Sequence, residues 1–230
     1  MKESVRKELA LSTEETFSQL RMELSALADE QRAVQQSAYM RNQFPYFGVP
    51  TPQRRKAAQG VLRNLRGAVD WDFVDLCWNA PEREFQYVAA DHLKENAKTL
   101  KAADLPCVES LVQRKSWWDS VDHLAQSVCV VVPGDTNSGE VMRQWARHPN
   151  FWVRRVSIIS QLGAKELTDT GLLTEVILAN TGSQEFFINK AIGWALRQYA
   201  RIDPVWVRDF LSDHEDTLAP LSIREASKHL

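Results

Sequence analysis

Lys115-Ser-Trp-Trp-Asp-Ser-Val-Asp-His-Leu-Ala-Gln-Ser-Val128 is the stretch from which the fold can be read. Ser116, followed three residues later by Asp119, predicts a helix start: a hydroxyl N-cap and an acid in the first turn. Beyond it Trp117, Val121, Leu124 and Val128 recur at i, i+4, i+7 and i+11, one apolar face of a helix over about 116–132. Trp118 and Asp122 are also one turn apart, but roughly 100° round from that stripe. A large ring and a carboxylate therefore share a flank that the core does not need, which marks them as a candidate site.

Working outward, helix signals follow one another and strand signals are nearly absent. Thr51-Pro52 predicts an N-cap with proline at the first helical position, closed by Gly67. Further helices are expected at about 70–79, 82–98, 103–114, 138–147, 150–162, 170–180, 184–201, 203–213 and 220–229, with two more in 13–43 broken near Asp29. Phe85, Trp118, Trp152 and Phe187 stand near the starts of four of them, spaced 33, 34 and 35 residues apart. Carried outward, the register reaches Pro52 and Ser222. Such a period predicts an all-α fold, an α-solenoid of stacked HEAT-like helix pairs with a concave binding face. The Trp…Leu-Gly…Tyr pattern of tetratricopeptide repeats is missing. One domain over 1–230 is expected, with 1–34 as an N-terminal helical cap.

In this register Trp194 lies seven residues beyond Phe187, on nearly the same flank as Trp118 and Asp122. Equivalent flanks of successive second helices line one side of a solenoid, so the three side chains are expected to converge. Arg54, Arg55, Arg154, Arg155, Lys190 and Arg224 fall in the next turn of those helices. Arg155 and Lys190 also occupy the register of Val121, a core position. Either the apolar stripe narrows in later repeats or the register slips. Read singly, Asp122 is a solvated helix acid and Trp194 a core residue, and Arg155 and Lys190 fit rim ion pairs as well as phosphate ligands; together, Arg54, Arg55, Arg155, Lys190 and Arg224 on a concave surface are expected to hold the phosphates of duplex DNA.

The chain has 230 residues, 44% hydrophobic and 25% charged, as for one globular unit with a sizeable core. The formal net charge of −2 argues against a strong polyanion binder. Residues 1–30 hold four basic and seven acidic side chains, which leaves 24 against 23 for the rest. A nucleic-acid surface must then come from arrangement and not from excess. No run approaches the roughly 18 apolar residues of a membrane span, and no hydrophobic region follows Met1-Lys-Glu-Ser-Val-Arg-Lys-Glu8, so neither membrane span nor signal peptide is expected. Cys77, Cys107 and Cys129 are odd in number and far apart; they read as reduced core thiols of a cytoplasmic protein. His92, His123, His148, His214 and His229 show no ligand spacing, so no metal and no cofactor are expected.

Several segments resemble the AlkD-like DNA glycosylases, HEAT-like repeat proteins of DNA alkylation repair. They are Tyr39-Met-Arg-Asn42, Phe47-Gly-Val-Pro-Thr-Pro-Gln-Arg-Arg55, Pro81-Glu-Arg-Glu-Phe-Gln86, Lys115-Ser-Trp-Trp-Asp-Ser-Val-Asp122, Glu185-Phe-Phe-Ile-Asn-Lys-Ala-Ile-Gly-Trp194 and Leu218-Ala-Pro-Leu-Ser-Ile-Arg-Glu-Ala226. The resemblance runs from about residue 35 to the end, with the segments in the same order. It implies that Trp118, Asp122 and Trp194 form the catalytic cleft, that Tyr39 lines it, and that Arg155 contacts the DNA backbone. The implied partner is duplex DNA carrying alkylated purines, bound by a monomer. Family members tend to carry more lysine than the 163–178 region here.

The chemistry agrees with the residue types. An N3- or N7-alkylated purine is a cation and already a good leaving group. Breaking its glycosidic bond leaves an oxocarbenium-like sugar. A carboxylate stabilises that charge and orients or deprotonates water, and aromatic faces attract the same cation. Two rivals remain at the level of sequence. A catalytically silent scaffold binding a DNA structure or a protein would have no need of the Trp/Asp constellation, and a metal-dependent nuclease would need clustered carboxylates or histidines.

Overall fold

The computed structural model describes residues 11–230, the His229 side chain excepted. The first ten residues of the expected cap, the stretch read for a leader, and the His229 part of the histidine reading lie outside the described residues. The described residues form thirteen α-helices and no strand. They are α1 (Thr13–Ser25), α2 (Glu30–Tyr39), α3 (Thr51–Asn64), α4 (Trp71–Asn79), α5 (Arg83–Glu95), α6 (Leu105–Val112), α7 (Trp118–Val131), α8 (Thr136–Trp145), α9 (Phe151–Ile159), α10 (Thr170–Leu178), α11 (Phe186–Tyr199), α12 (Pro204–Asp213) and α13 (Pro220–Ala226). None is long and apolar enough to cross a membrane. Packing divides the chain into two compact units, Met1–Thr99 and Leu100–Leu230.

Helix starts follow local side-chain chemistry. Ser12 and Glu15 close a reciprocal capping box on α1, a device worth about 1 kcal/mol per cap. Asp29, Asp70, Asp135, Asp169 and Asp203 each accept a backbone N–H at the N-terminus of α2, α4, α8, α10 and α12. The last three are 34 residues apart, so the repeat is written in caps as well as in aromatic rings.

In the second unit, the first helix of each pair is α6, α8, α10 or α12 and the second is α7, α9, α11 or α13. The second helices pack in succession, α7 on α9, α9 on α11 and α11 on α13, while α8 packs on α10. This is the helix-pair stacking that the period predicts. Its core is Val121, Leu124, Val128, Val153, Val156, Ile188, Ile192 and Leu196, all 1% exposed or less. α13 approaches α11 at Gly193, where an added Cβ would stand 2.5 Å from the Glu225 Cβ and 2.8 Å from the Ser222 carbonyl oxygen. The Ser222 hydroxyl donates to the Asn189 carbonyl across the same contact.

In the first unit, α3 packs on α5, α4 on α5, and α1 on both α3 and α4. Buried Glu84 of α5 accepts the N–H groups of Phe47, Gly48 and Val49 at 2.9–3.1 Å. This fixes the loop leading into α3. Gly48, at φ +86°, has no room for a side chain, because a Cβ would meet the Asp29 carbonyl oxygen at 2.2 Å. The Phe47-Gly-Val and Pro81-Glu-Arg-Glu segments are thus two halves of one structural clasp.

Three local expectations need correction. Ser116 does not cap α7; its hydroxyl donates back to the Val112 carbonyl at 2.6 Å, and Trp117 is the N-cap residue. Pro50 and not Thr51 caps α3. Cys107 is exposed, although Cys77 is buried and Cys129 partly so. The Cys129 thiol donates to the Ile159 carbonyl, and burial pushes its pKa up to about 11.

Candidate functional site

The centre of the candidate site lies in the second unit and begins at the turn from α6 into α7. Lys115 adopts φ +50°, a left-handed conformation that reverses the chain between the two helices. Trp117 then packs its ring on Trp152 and Phe187, at 5.9 and 5.4 Å between centroids, and Trp152 lies 4.8 Å from Phe187. These rings seal the N-terminal ends of α7, α9 and α11 against one another. The next residue, Trp118, is half-buried, as is Asp122 one turn on.

Asp122 meets Arg155 of α9. Nε donates to Oδ1 at 2.7 Å and Nη2 to Oδ2 at 2.8 Å, a bidentate pair. The third guanidinium nitrogen, Nη1, donates to the Phe187 carbonyl of α11 at 2.6 Å. One side chain therefore ties three successive second helices together. The Arg155 side chain is 4% exposed and that of Asp122 is 19% exposed, so the carboxylate is the end of the pair that faces solvent. Each carboxylate oxygen has two lone-pair directions and spends one on Arg155, which leaves one apiece for a water or a ligand.

On α11, Trp194 lies two turns beyond Phe187 and one turn beyond Lys190, and it is half-buried. A core tryptophan in the Ala-Ile-Gly-Trp-Ala-Leu setting would be sealed; this one is not. Lys190 bonds Glu225 of α13 at 2.9 Å, and Arg197 and Lys228 bond the same carboxylate at 2.8 and 2.7 Å. Hydrogen bonds from Lys228 and Lys190 pull the Glu225 carboxyl down to about 2. Arg224 is exposed.

The structure settles the register conflict at Arg155. The register does not slip; the position is internal, and the arginine is accommodated there because Asp122 and a carbonyl satisfy all three nitrogens. In this structure its donors point at Asp122 and Phe187. Arg54, in the first unit, is likewise turned inward. It is 4% exposed, bonds Asp91 at 3.3 Å and stacks over the Tyr87 ring. Burial lowers its pKa and Asp91 opposes that shift. Arg55 is exposed, 3.7 Å from the other Asp91 oxygen. Tyr39, at the end of α2, is 74% exposed. No group of three His, Cys, Asp or Glu side chains able to hold a metal occurs among the described residues.

Residue types alone did not reveal the Asp122–Arg155 pair. The signal available was a single arginine at a core register position, 33 residues, or one repeat, after an acid.

Comparison with known proteins gives a consistent result. A family model described as DNA alkylation repair enzyme matches residues 20–230. Among solved structures, a predicted DNA alkylation repair enzyme from Enterococcus faecalis is 33% identical, with a TM-score of 0.81 over 88% of this chain and 96% of that one. No curated protein matches the chain. The match over most of its length, with the helical-repeat fold and the segment order already described, shows that the chain belongs to the DNA alkylation repair enzyme family.

Proposed function

We propose that the protein is a monofunctional DNA glycosylase that hydrolyses the N-glycosidic bond of cationic N3- or N7-alkylated purines in duplex DNA. The observation that carries this reading is the clamped carboxylate. Asp122 is fixed through both oxygens, its far side is partly open to solvent, and half-buried Trp118 lies one turn away on the same helix.

In the reaction the bond between C1′ and the purine nitrogen breaks with both electrons leaving on the base, which departs neutral. The sugar becomes an oxocarbenium ion, water adds at C1′, and a water proton passes to the Asp122 carboxylate and on to solvent. The products are free alkylpurine and an abasic site. No acid is required, because the base leaves without gaining a proton.

Magnitudes set the division of labour. A cation about 4 Å from the carboxylate gains about 4 kcal/mol at an effective dielectric constant near 20, and loses about 2 to the guanidinium if that lies about 8 Å away. The pair as a whole thus contributes about 2 kcal/mol, and each aromatic face at Trp118 and Trp194 about 0.5–2. These sums fall short of the roughly 8 kcal/mol of a typical enzyme. The substrate class makes up the difference: only a base whose positive charge already weakens the bond suits so modest a site.

Incubation of the protein with duplex DNA treated with a methylating agent tests this. Free N7-methylguanine or N3-methyladenine is expected in the supernatant, with abasic sites left in the strand. Duplex binding without release of any cationic purine would turn the reading to a silent scaffold.

A further inference from the structure

At the C-terminal ends of α9 and α11 the second unit forms a half-open cavity of about 240 Å³, which Trp118, Asp122 and Trp194 do not line. Its floor is apolar: Ile158 of α9, Leu162 just past it, Leu173 of α10, and Ala195 and Ile202 at the end of α11. The walls are held from both sides. The Gln161 side chain accepts the Asp169 N–H at 2.8 Å and donates to the Asp169 carbonyl at 3.0 Å, which ties the end of α9 to the start of α10. The Tyr199 ring packs edge-on against Trp206, 5.3 Å between centroids. A cavity fixed in this way is preformed, so a ligand need not order it.

The charges at its exposed rim are of one sign. Lys165 and Arg201 line the cavity and no acid does. The nearby carboxylates of Asp169 and Asp203 are turned to backbone N–H groups at the starts of α10 and α12. Lys165 adopts φ +52°, a left-handed conformation uncommon for a lysine, and its loop holds it there. The Thr168 N–H and hydroxyl both donate to the Lys165 carbonyl, at 3.1 and 2.7 Å. Among the described residues the Lys165 ammonium and the half-buried Gln198 amide have no hydrogen-bond or ion-pair partner. At about 30 Å³ for each water-sized group, the cavity holds about eight non-hydrogen atoms.

We propose that this cavity binds a small amphipathic carboxylate, with its apolar body on Ile158, Leu162, Leu173 and Ala195 and its head group on Lys165 and Gln198 at the rim. A carboxylate presents two oxygens, one for the Lys165 ammonium and one for the Gln198 amide N–H, and Arg201 adds to the positive field around them. A phosphodiester strand is the wrong occupant, because its hydrated backbone would leave the apolar floor uncovered. The proposal is independent of the glycosylase reading and uses none of its residues.

The test titrates sodium octanoate into the full chain and follows the backbone amides by NMR. Saturable shifts centred on Leu162, Thr168, Gln198 and Ile202 are expected, with a Kd on the order of 0.1–1 mM. Hexanoate should bind about 15-fold more weakly, at about fourfold per methylene removed. Octan-1-ol and octylamine, which lack the anionic head, should each bind about tenfold more weakly than octanoate. Lys165→Gln should weaken octanoate about tenfold and leave octan-1-ol unaffected, while Lys165→Arg retains octanoate binding. Lys101→Gln, which removes a charge of the same unit outside the cavity, should change nothing. The absence of shifts up to about 10 mM octanoate would overturn the proposal. Shifts centred elsewhere, octan-1-ol binding as tightly as octanoate, or Lys165→Gln binding octanoate like wild type would each do the same. So would inorganic phosphate matching octanoate, the mark of a simple anion seat, or displacement of octanoate by an undamaged duplex, which would assign the cavity to a nucleic-acid surface.

Discussion

Removing the Asp122 charge leaves Arg155 buried with one strong partner gone. Breaking a buried pair costs on the order of 3–5 kcal/mol, and the part exposure of Asp122 puts this one at the low end. Asp122→Asn should therefore melt at a lower temperature than wild type, whereas Asp122→Asn combined with Arg155→Met should recover much of the loss. Thermal denaturation of the four proteins in a double-mutant cycle measures this; strictly additive losses would contradict the pairing. On the proposed mechanism, Trp118→Ala and Trp194→Ala each remove one cation–π contribution. Each should slow excision about 2- to 30-fold under single-turnover conditions, with duplex affinity nearly kept. A fall of several orders of magnitude in either would mean that the ring does more than attract charge. The Trp118–Asp122 flank was legible because helical geometry fixes the angle between residues on one helix. The identity of Asp122's partner was not, since it comes from a neighbouring helix and depends on how the two helices stagger.

At the scale of elements, the helix order was readable, because most first helices open on an Asp cap and four second helices, α5, α7, α9 and α11, open on an aromatic ring at the repeat register. Ends were over-extended, as at 82–98, where α5 stops at Glu95. Ser116 departs from the expected cap for a general reason. A serine between helices has N–H groups ahead of it and a carbonyl behind, and here the carbonyl won. Close approach was invisible in the sequence, and Gly193 shows its weight. Gly193→Ala should force α13 from α11 and destabilise the second unit by about 1–3 kcal/mol. Denaturant unfolding checks this, and an unchanged midpoint would show that α13 is not held there. Glu225 supplies a pH test of the same contact. Its folded pKa lies below the unfolded value, so its contribution is complete above about 4.5 and is lost as pH falls towards 2. Carboxyl NMR should place the Glu225 midpoint near 2; a midpoint near 4 would mean that Lys190 and Lys228 do not hold it.

For the whole molecule, composition gave a poor guide to its partner. A net charge of −2 conceals one acid-free basic segment in the first unit and a cation-rich patch around Glu225 in the second. Arginine count also overstated the surface, because Arg54 and Arg155 serve as internal ties. In the proposed reaction, the Asp122 carboxylate stabilises a developing sugar cation. The most direct measurement is the single-turnover rate of N7-methylguanine release from duplex DNA by Asp122→Asn, taken beside wild type at a temperature where circular dichroism shows both folded. Loss of the carboxylate removes about 4 kcal/mol of attraction and leaves Arg155 repelling the cation, so the rate should fall on the order of 10³-fold. Release by Asp122→Asn at the wild-type rate would contradict that role.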